Sequence, residues 1–376
     1  MIAYVLPTRD RAETLGATLD ALGGLSRHEA EVIVVDNASR EPAVAPRTLA
    51  NGLPVKLIRR ERNEGAAGRN AGVEAADRSS EWIVMLDDDS RPVNTAFVGA
   101  LRALPPDVLA VQAEIRLGGN GGGPRFAPER ESGGLPEVFI GCGVAVRRRA
   151  FLEAGGYDPE FDFYAEEYDL SAKILSAGGR VVMDRRFEVV HDKVARGRDM
   201  DRILRRLVRN NAWVMERYAP ESARRGEVAR VIKRYGCIAV KEGAVIGYAR
   251  GVLDVSRTIS KQVRREMSSE IWDRFTGKAA ARAGLGEAWA KRRFRTAVIA
   301  MPGKNRHIVC ECLEELGVRI VARERDAEAV VIGTLSPGPM LDAMERLAGE
   351  GRLVAPWLIG EAGEAGRAKG TELAAA

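Results

Sequence analysis

The sequence predicts an α/β protein built on a mainly parallel, doubly wound sheet. Short apolar runs alternate with helical patterns through the first half of the chain, several of those runs end in an acid, and Trp82-Ile83-Val84-Met85-Leu86 leads directly into Asp87-Asp88-Asp89. Strands alternating with helices make βαβ units, and open sheets of this kind hold ligands at the carboxyl ends of their strands. Three adjacent carboxylates repel one another unless a cation or solvent compensates. A hard divalent ion, Mg²⁺ or Mn²⁺, itself carrying a diphosphate, suits such oxygen ligands. The plainer alternative is a solvated acidic turn.

The elements follow in order. Ile2–Leu6 reads as a strand, Arg11–Leu22 as a helix, and Glu31–Val35 as a strand ending at Asp36. Val55–Arg59, the helix Gly68–Asp77, the strand Trp82–Leu86 and a helix over Thr95–Ala103 come next. The glycine-dense stretch Gly118–Gly134 predicts a long loop of the kind that forms lids or binding segments. Phe139–Val146 resumes strand character, Arg147–Ala154 and Asp169–Ala177 read as helices stopped by glycine pairs, and Arg180–Met183 and Glu188–His191 as the last strands. From Asp199 to Arg295 the pattern is helical and basic. Six elements between Thr296 and Leu358 then read β-α-β-β-α-β, followed by a Gly-, Glu- and Ala-rich tail from Gly360. The domain reading is therefore residues 1–215, a helical connecting region 216–295, and a small Rossmann-like α/β domain 296–376.

Composition narrows the class. The chain has 376 residues, 45% of them hydrophobic and 30% charged, with a net charge of +5. That is enough for a large domain plus a smaller one, with a mild attraction to anionic partners. Cys142, Cys237, Cys310 and Cys312 give neither a disulfide framework nor CxxC spacing, so a reducing cytoplasm is expected and a zinc site is not. The start lacks a signal-peptide pattern, and the most apolar later stretch, Cys237 to Val255, is broken by charges and falls short of a membrane span.

Individual residues carry more. An acid after a strand, as at Asp36, can bond a base or ribose or cap the following turn. The small-residue loop Asn63 to Asn70 opens a helix, which lets backbone amides approach a phosphate while Arg69 supplies charge. In Glu166-Glu167 one carboxyl can have a raised pKa, suiting a general base, though acids are expected in a first helical turn anyway. A strand-end His191 facing the Asp89 cluster could complete a metal site, although a lone histidine is more often structural.

Pro7-Thr8-Arg9-Asp10-Arg11, Val34-Val35-Asp36-Asn37-Ala38-Ser39, Asn63-x-Gly65-x-x-Gly68-Arg69-Asn70 and Leu86-Asp87-Asp88-Asp89-x-x-Pro92 stand in this order. Gly141-x-Gly143, Gly155-Gly156-Tyr157-Asp158, Glu166-Glu167-x-Asp169-Leu170 and His191 follow. The series resembles the family 2 glycosyltransferases of the GT-A fold over about residues 1–215. The resemblance implies that Thr8 and Asp36 contact the base and ribose of a nucleotide sugar, with Arg69 in the same pocket. It implies that Asp87 and Asp89 form a DxD element holding the ribose and a metal, Asp88 being grouped with the nucleotide-sugar contacts. Glu167 would be the base, with Glu166 beside it, and His191 a late metal ligand. Where the family often has Tyr this chain has Arg9, so a guanidinium plane takes over base stacking.

The expected function is inverting transfer of a sugar from a nucleotide-diphosphate donor to an acceptor hydroxyl, assisted by Mn²⁺ or Mg²⁺. The acceptor is a glycan, a lipid-linked molecule or a small molecule; no nucleic-acid partner is expected. One rival is a catalytically silent sugar-nucleotide-binding or scaffold protein. Another is a sugar-phosphate nucleotidyltransferase, which needs a glycine-rich loop after the first strand where this chain has Pro7-Thr8-Arg9-Asp10-Arg11. Val245, Ile246, Ala249, Val252, Leu253 and Ile259, with Arg250, Arg257, Lys261, Arg264 and Arg265 nearby, form an amphipathic pattern suited to peripheral contact with an anionic membrane or to simple core packing. In the small domain, Met301-Pro302-Gly303-Lys304-Asn305-Arg306 lacks GxGxxG spacing, which argues against a second dinucleotide site.

Overall fold

Strands β1 (Ile2–Thr8), β2 (Ala30–Asp36) and β4 (Trp82–Met85) are almost wholly buried, as parallel strands covered on both faces must be. The computed structural model describes residues 1–118, 129–193, 199–303 and 305–357; most of the glycine-dense loop, Lys304 and the tail from Gly360 lie outside them. The first sheet also contains β3 (Val55–Arg59), β5 (Ser90–Pro92), β6 (Val108–Leu117), β7 (Arg130–Glu131), β8 (Val144–Arg147) and β9 (Arg180–His191), in the order β3-β2-β1-β4-β8-β6-β9-β5, with β7 on β6. β1 to β4 pair in parallel and so do β6 and β9, while β8 runs antiparallel between β4 and β6.

This register builds one working edge. Thr8 lies opposite Asp36 and Val5 opposite Met85, so the three parallel strands end together and Asp87–Asp89 emerge beside Thr8. Because β8 is antiparallel, its start, preceded by Gly141 and Cys142, reaches the same edge. β5 pairs with β9 so that Ser90 faces His191, which brings that histidine to Asp89.

Side chains alternate across the sheet with a period of two. Tyr4, Leu6, Val32, Val34 and Val84 pack with the helix Ala12–Gly23 and with Phe97 and Phe187 on one face; Val5, Ile33, Val35 and Met85 pack with Val73, Phe151 and Leu170 on the other. The helix Gly68–Ala75 lies close on that second face: a Cβ on Gly72 would stand 2.6 Å from Val5 Cγ1.

Three differences from the sequence reading stand out. β6, whose apolar run is interrupted by Gln112 and Glu114, is absent from the sequence reading, yet it is a central strand. Phe139–Gly143 is irregular and only Val144–Arg147 is strand. The two expected last strands are one bulged strand, β9.

Helices Met200–Tyr218, Glu221–Glu242 and Val245–Thr258 pack together, the first running through position 215. Among the described residues no helix is long and apolar enough to cross a membrane. The small domain has four parallel strands, β10 (Thr296–Ala300), β11 (Arg319–Ile320), β12 (Ala329–Ile332) and β13 (Leu353–Val354), ordered β11-β10-β12-β13. Ala281 and Leu285 of the helix Lys278–Lys291 belong to its core, although the sequence pattern puts them in the connecting region.

Candidate active site

Each acid of the Asp87–Asp89 run has a cationic partner. Arg69, itself buried, donates to Asp87. Arg11 donates to Asp88 at 2.5 Å and to Asp89 at 2.8 Å. Asp89 also faces His191 Nε2 at 3.1 Å. The repulsion expected of three adjacent carboxylates is thus relieved by side chains from distant parts of the chain. Arg11 stands in a quoted motif but was not singled out as a site residue; its signal is its place just beyond β1, level with the acids.

Asp88 shares Arg11 with Asp89 and makes further bonds of its own. It accepts Thr8 Oγ1 at 2.8 Å, and its carbonyl accepts Thr18 Oγ1 at 2.6 Å. Burial raises its pKa to about 6 against the opposing effects of Arg11 and Thr8. Asp89 moves the other way: burial opposes ionisation, but bonds from His191 and Arg11 hold its pKa below the ordinary value.

His191 has a carboxylate on each ring nitrogen, Asp89 on Nε2 and Glu131 on Nδ1 at 2.9 Å. Burial alone would lower its pKa, but bonds to Asp89, Cys142 and Glu131 push it up to about 12. Glu131 sits in the glycine-dense stretch and was not legible as a site residue. Burial would raise its pKa, yet His191 and Lys193 bring it down to about 2.

Glu166 and Glu167 open the helix Glu166–Ser176, which starts earlier than the sequence reading placed it. Asp162, Tyr164 and Ala165 just before it have φ of 61°, 73° and 69°, a left-handed conformation that non-glycine residues hold only when their surroundings enforce it. Asn210, wholly buried on Met200–Tyr218, enforces it: its Nδ2 lies 2.8, 2.8 and 2.7 Å from the carbonyls of Phe161, Phe163 and Tyr164. Asp169 accepts Arg217 at 2.9 Å and Tyr218 at 2.7 Å, so this acid of the motif anchors the helix.

The two glutamates differ. Glu167 accepts the Gly141 amide at 3.2 Å. Glu166 is 5% exposed, and its Oε2 has no hydrogen-bond partner among the described residues. Burial raises both pKa values, that of Glu166 well above the ordinary range because the Glu167 charge adds to it.

These groups line one cleft of about 630 Å³ that holds Asp87, Asp89, His191, Glu166 and Glu167. A smaller lobe of about 220 Å³, lined by Thr8, Arg9, Asn37, Asn63 and Asp88, shares Arg11, Arg69 and Asp87 with it. Asp36 lines neither. Its oxygens accept the Ser39 amide at 2.8 Å and the Ala43 amide at 3.1 Å, with Arg59 at 3.3 Å, which makes it a buried turn cap. Of the two readings of Asp36, the turn cap is the geometry present, with Arg59 of β3 added to the two loop amides.

The donor set suits a divalent ion. One ligand atom each from Asp87, Asp89 and His191 lies within 4.8 Å of the others, two hard oxygens and an imidazole. Such binding requires His191 to give up the proton it holds between two carboxylates.

Residues 4–151 match the family model described as "Glycosyl transferase family 2". An uncharacterized glycosyltransferase of Haemophilus influenzae is 24% identical over 205 residues, 46% of this chain and 62% of that protein. A galactofuranosyltransferase of Mycolicibacterium smegmatis is 32% identical over 103 residues, 27% of this chain and 34% of that protein. The chain thus spans less than two thirds of the length of these curated relatives. A solved structure of a mannosyltransferase from Pyrobaculum calidifontis, in complex with GDP-Man and Mn²⁺, is 18% identical with a TM-score of 0.46, covering 84% of this chain and 85% of that one.

Proposed function

We propose that this chain, whose residues 4–151 match the family 2 glycosyltransferase model, uses the cleft to move a sugar from a nucleotide-diphosphate sugar to an acceptor hydroxyl, with inversion at the anomeric carbon. The observation that carries this reading is that Asp87, Asp89, His191 and the carboxylate of Glu167 line one cleft, next to a lobe of nucleoside size. Thr8 and Arg9 line that lobe and would meet the base and ribose. Arg69, buried with an Nε that has no partner among the described residues, offers a fixed donor to the diphosphate. Asp87, Asp89 and His191 would hold Mn²⁺ or Mg²⁺, which when bound supplies Lewis-acid stabilisation of the leaving diphosphate.

Glu167 is the base in this reading. It faces the cleft, is fixed by the Gly141 amide, and has a pKa raised toward the working range. Burial and the Glu167 charge raise the pKa of Glu166 beside it, which favours its neutral form. Glu167 takes the acceptor proton as the hydroxyl attacks the anomeric carbon opposite the leaving group, and a single displacement inverts the centre. A thermal-shift screen of UDP-, GDP- and dTDP-sugars with and without Mn²⁺, followed by transfer assays, tests this. Selective stabilisation with turnover is expected; binding without any hydrolysis or transfer would favour a silent sugar-nucleotide-binding protein.

We further propose peripheral contact with an anionic membrane at the cytoplasmic face, where a lipid-linked acceptor would be met. On the helix Val245–Thr258, Gly247, Gly251 and Val255 are buried, and a Cβ on Gly251 would stand 2.8 Å from the Arg205 carbonyl. The opposite face leaves Val245, Ile246 and Leu253 at 51%, 63% and 46% exposure, with Arg250 and Arg257 also exposed. Val252 and Ile259, placed on the apolar face by the sequence pattern, pack inward. The helix thus packs through one face and leaves an apolar face with flanking arginines exposed.

A further inference from the structure

The small C-terminal domain lies outside the matched residues and has no part in the reading above. Its strand order puts a topological switch between β10 and β12, the place where open α/β sheets hold ligands. Here that crevice receives the catalytic domain's own backbone. Asn305 Nδ2, after β10, donates to the Gly134 carbonyl at 2.7 Å, and Ser336 Oγ, after β12, donates to the same oxygen at 3.0 Å. The Gly338 amide donates to Ser132 Oγ at 3.1 Å.

The grip continues at β7. The Arg130 side chain is fully buried and pairs with Asp342 at 2.8 Å and Glu345 at 2.5 Å from the small domain, and with Glu114 of β6 at 2.8 Å. Asp342 also accepts the amides of Glu129 and Arg130 at 3.0 and 3.3 Å. Side chains alternate along a strand, and the next residue, Glu131, reaches His191 at 2.9 Å and Lys193 at 2.5 Å. One two-residue strand therefore joins the small domain, through Arg130, to the Asp89–His191 pair, through Glu131.

We propose that the small domain is an internal clamp: its ligand crevice takes the catalytic domain's Ser132–Gly134 segment, and Arg130 and Glu131 are positioning residues that hold His191 against Asp89. The role given to His191 rests on the transferase reading; the mechanical coupling does not. A carboxylate behind a metal-ligating histidine orients the ring, and its loss typically costs about 10- to 100-fold in metal affinity.

The test uses the full chain and hydrogen–deuterium exchange without metal or nucleotide. Ser336→Ala and Asp342→Asn should speed exchange in peptides spanning 129–136 and also in those spanning 187–193, leaving the helix Glu166–Ser176 unchanged. Ser336→Ala removes only one of two bonds to Gly134, so it remains informative if Asp342→Asn does not fold. Loosening confined to 129–136, or none in either variant, would overturn the clamp. Separately, Glu131→Ala should raise the Mn²⁺ concentration needed for half-maximal binding, measured by electron paramagnetic resonance in the presence of UDP and of GDP, by about 10- to 100-fold. Glu131→Gln, which keeps an acceptor for His191, should restore most of it. Equal behaviour of the two variants would show that Glu131 does not orient His191. Since the exchange experiment needs no donor, it can fail while transfer succeeds, or succeed while no transfer is found, so the two readings fall separately.

Discussion

Glu167 accepts the backbone amide of Gly141 at 3.2 Å, which ties the carboxylate on one side of the cleft to the segment that runs in beside Asp87. A Cβ on Gly141 would stand 3.4 Å from Arg69 Nη2, so this residue lies between the proposed base and the guanidinium paired with Asp87. Glu167→Gln should keep donor binding and lower kcat by about 10²- to 10⁴-fold. Near-wild-type turnover would remove Glu167 from the base role.

The raised pKa of Glu167 fixes the sign of the pH dependence. Below that pKa the base is protonated and turnover falls, so the acidic limb of kcat should lie above the ordinary glutamate range. Glu166 supplies an independent check through stability. Its folded pKa lies above its unfolded one, so its contribution is fully present below the unfolded pKa and is lost as pH rises through the folded pKa. Glu166→Gln should therefore gain thermal stability relative to wild type as pH rises from the unfolded carboxyl range through neutrality. A constant difference across that range would contradict the assignment.

Asn210 holds the left-handed segment ahead of the two glutamates. Asn210→Ala removes the donor shared by the Phe161, Phe163 and Tyr164 carbonyls and should cost about 1–3 kcal/mol of stability in urea unfolding, with kcat reduced beyond the loss of folded protein. An unchanged unfolding midpoint would show that the segment is held by other means.

Asp89→Ala should abolish metal-stimulated donor binding, read by calorimetry with and without Mn²⁺. Asp88 lies in the turn after β4 and lines the smaller lobe rather than the main cleft, but that does not make it dispensable. It holds Thr8 and one nitrogen of Arg11, so Asp88→Ala should weaken nucleotide binding with or without metal. Loss of metal stimulation alone would contradict that division.

Ile246→Glu with Leu253→Glu should abolish co-sedimentation with liposomes containing anionic lipid while leaving transfer to a soluble acceptor intact. Failure of the wild-type protein to bind such liposomes at low salt would end the membrane proposal.

Much of the fold was legible because β1, β2 and β4 are near-continuous apolar runs that end in polar groups at one edge. β6 was not, because Gln112 and Glu114 interrupt it. Both are buried, and their partners are remote: Gln112 donates to the Pro136 carbonyl at 2.7 Å, and Glu114 pairs with Arg130 and Arg185. The same limit applies to the site. Asp87, Asp89, Glu167 and His191 are marked by position after a strand or at a helix start. Arg11, Glu131 and Asn210 act on residues that only folding brings near. Asp36, a strand-end acid with the same spacing, has its loop amides and Arg59 of β3 as partners, which sequence position alone does not separate from a ligand contact.

The central claim is single-displacement transfer at this cleft. With the nucleotide sugar that the thermal-shift panel selects, proton NMR of the first-formed product reports its anomeric configuration directly. A single displacement gives a configuration inverted relative to the donor; retention would rule it out.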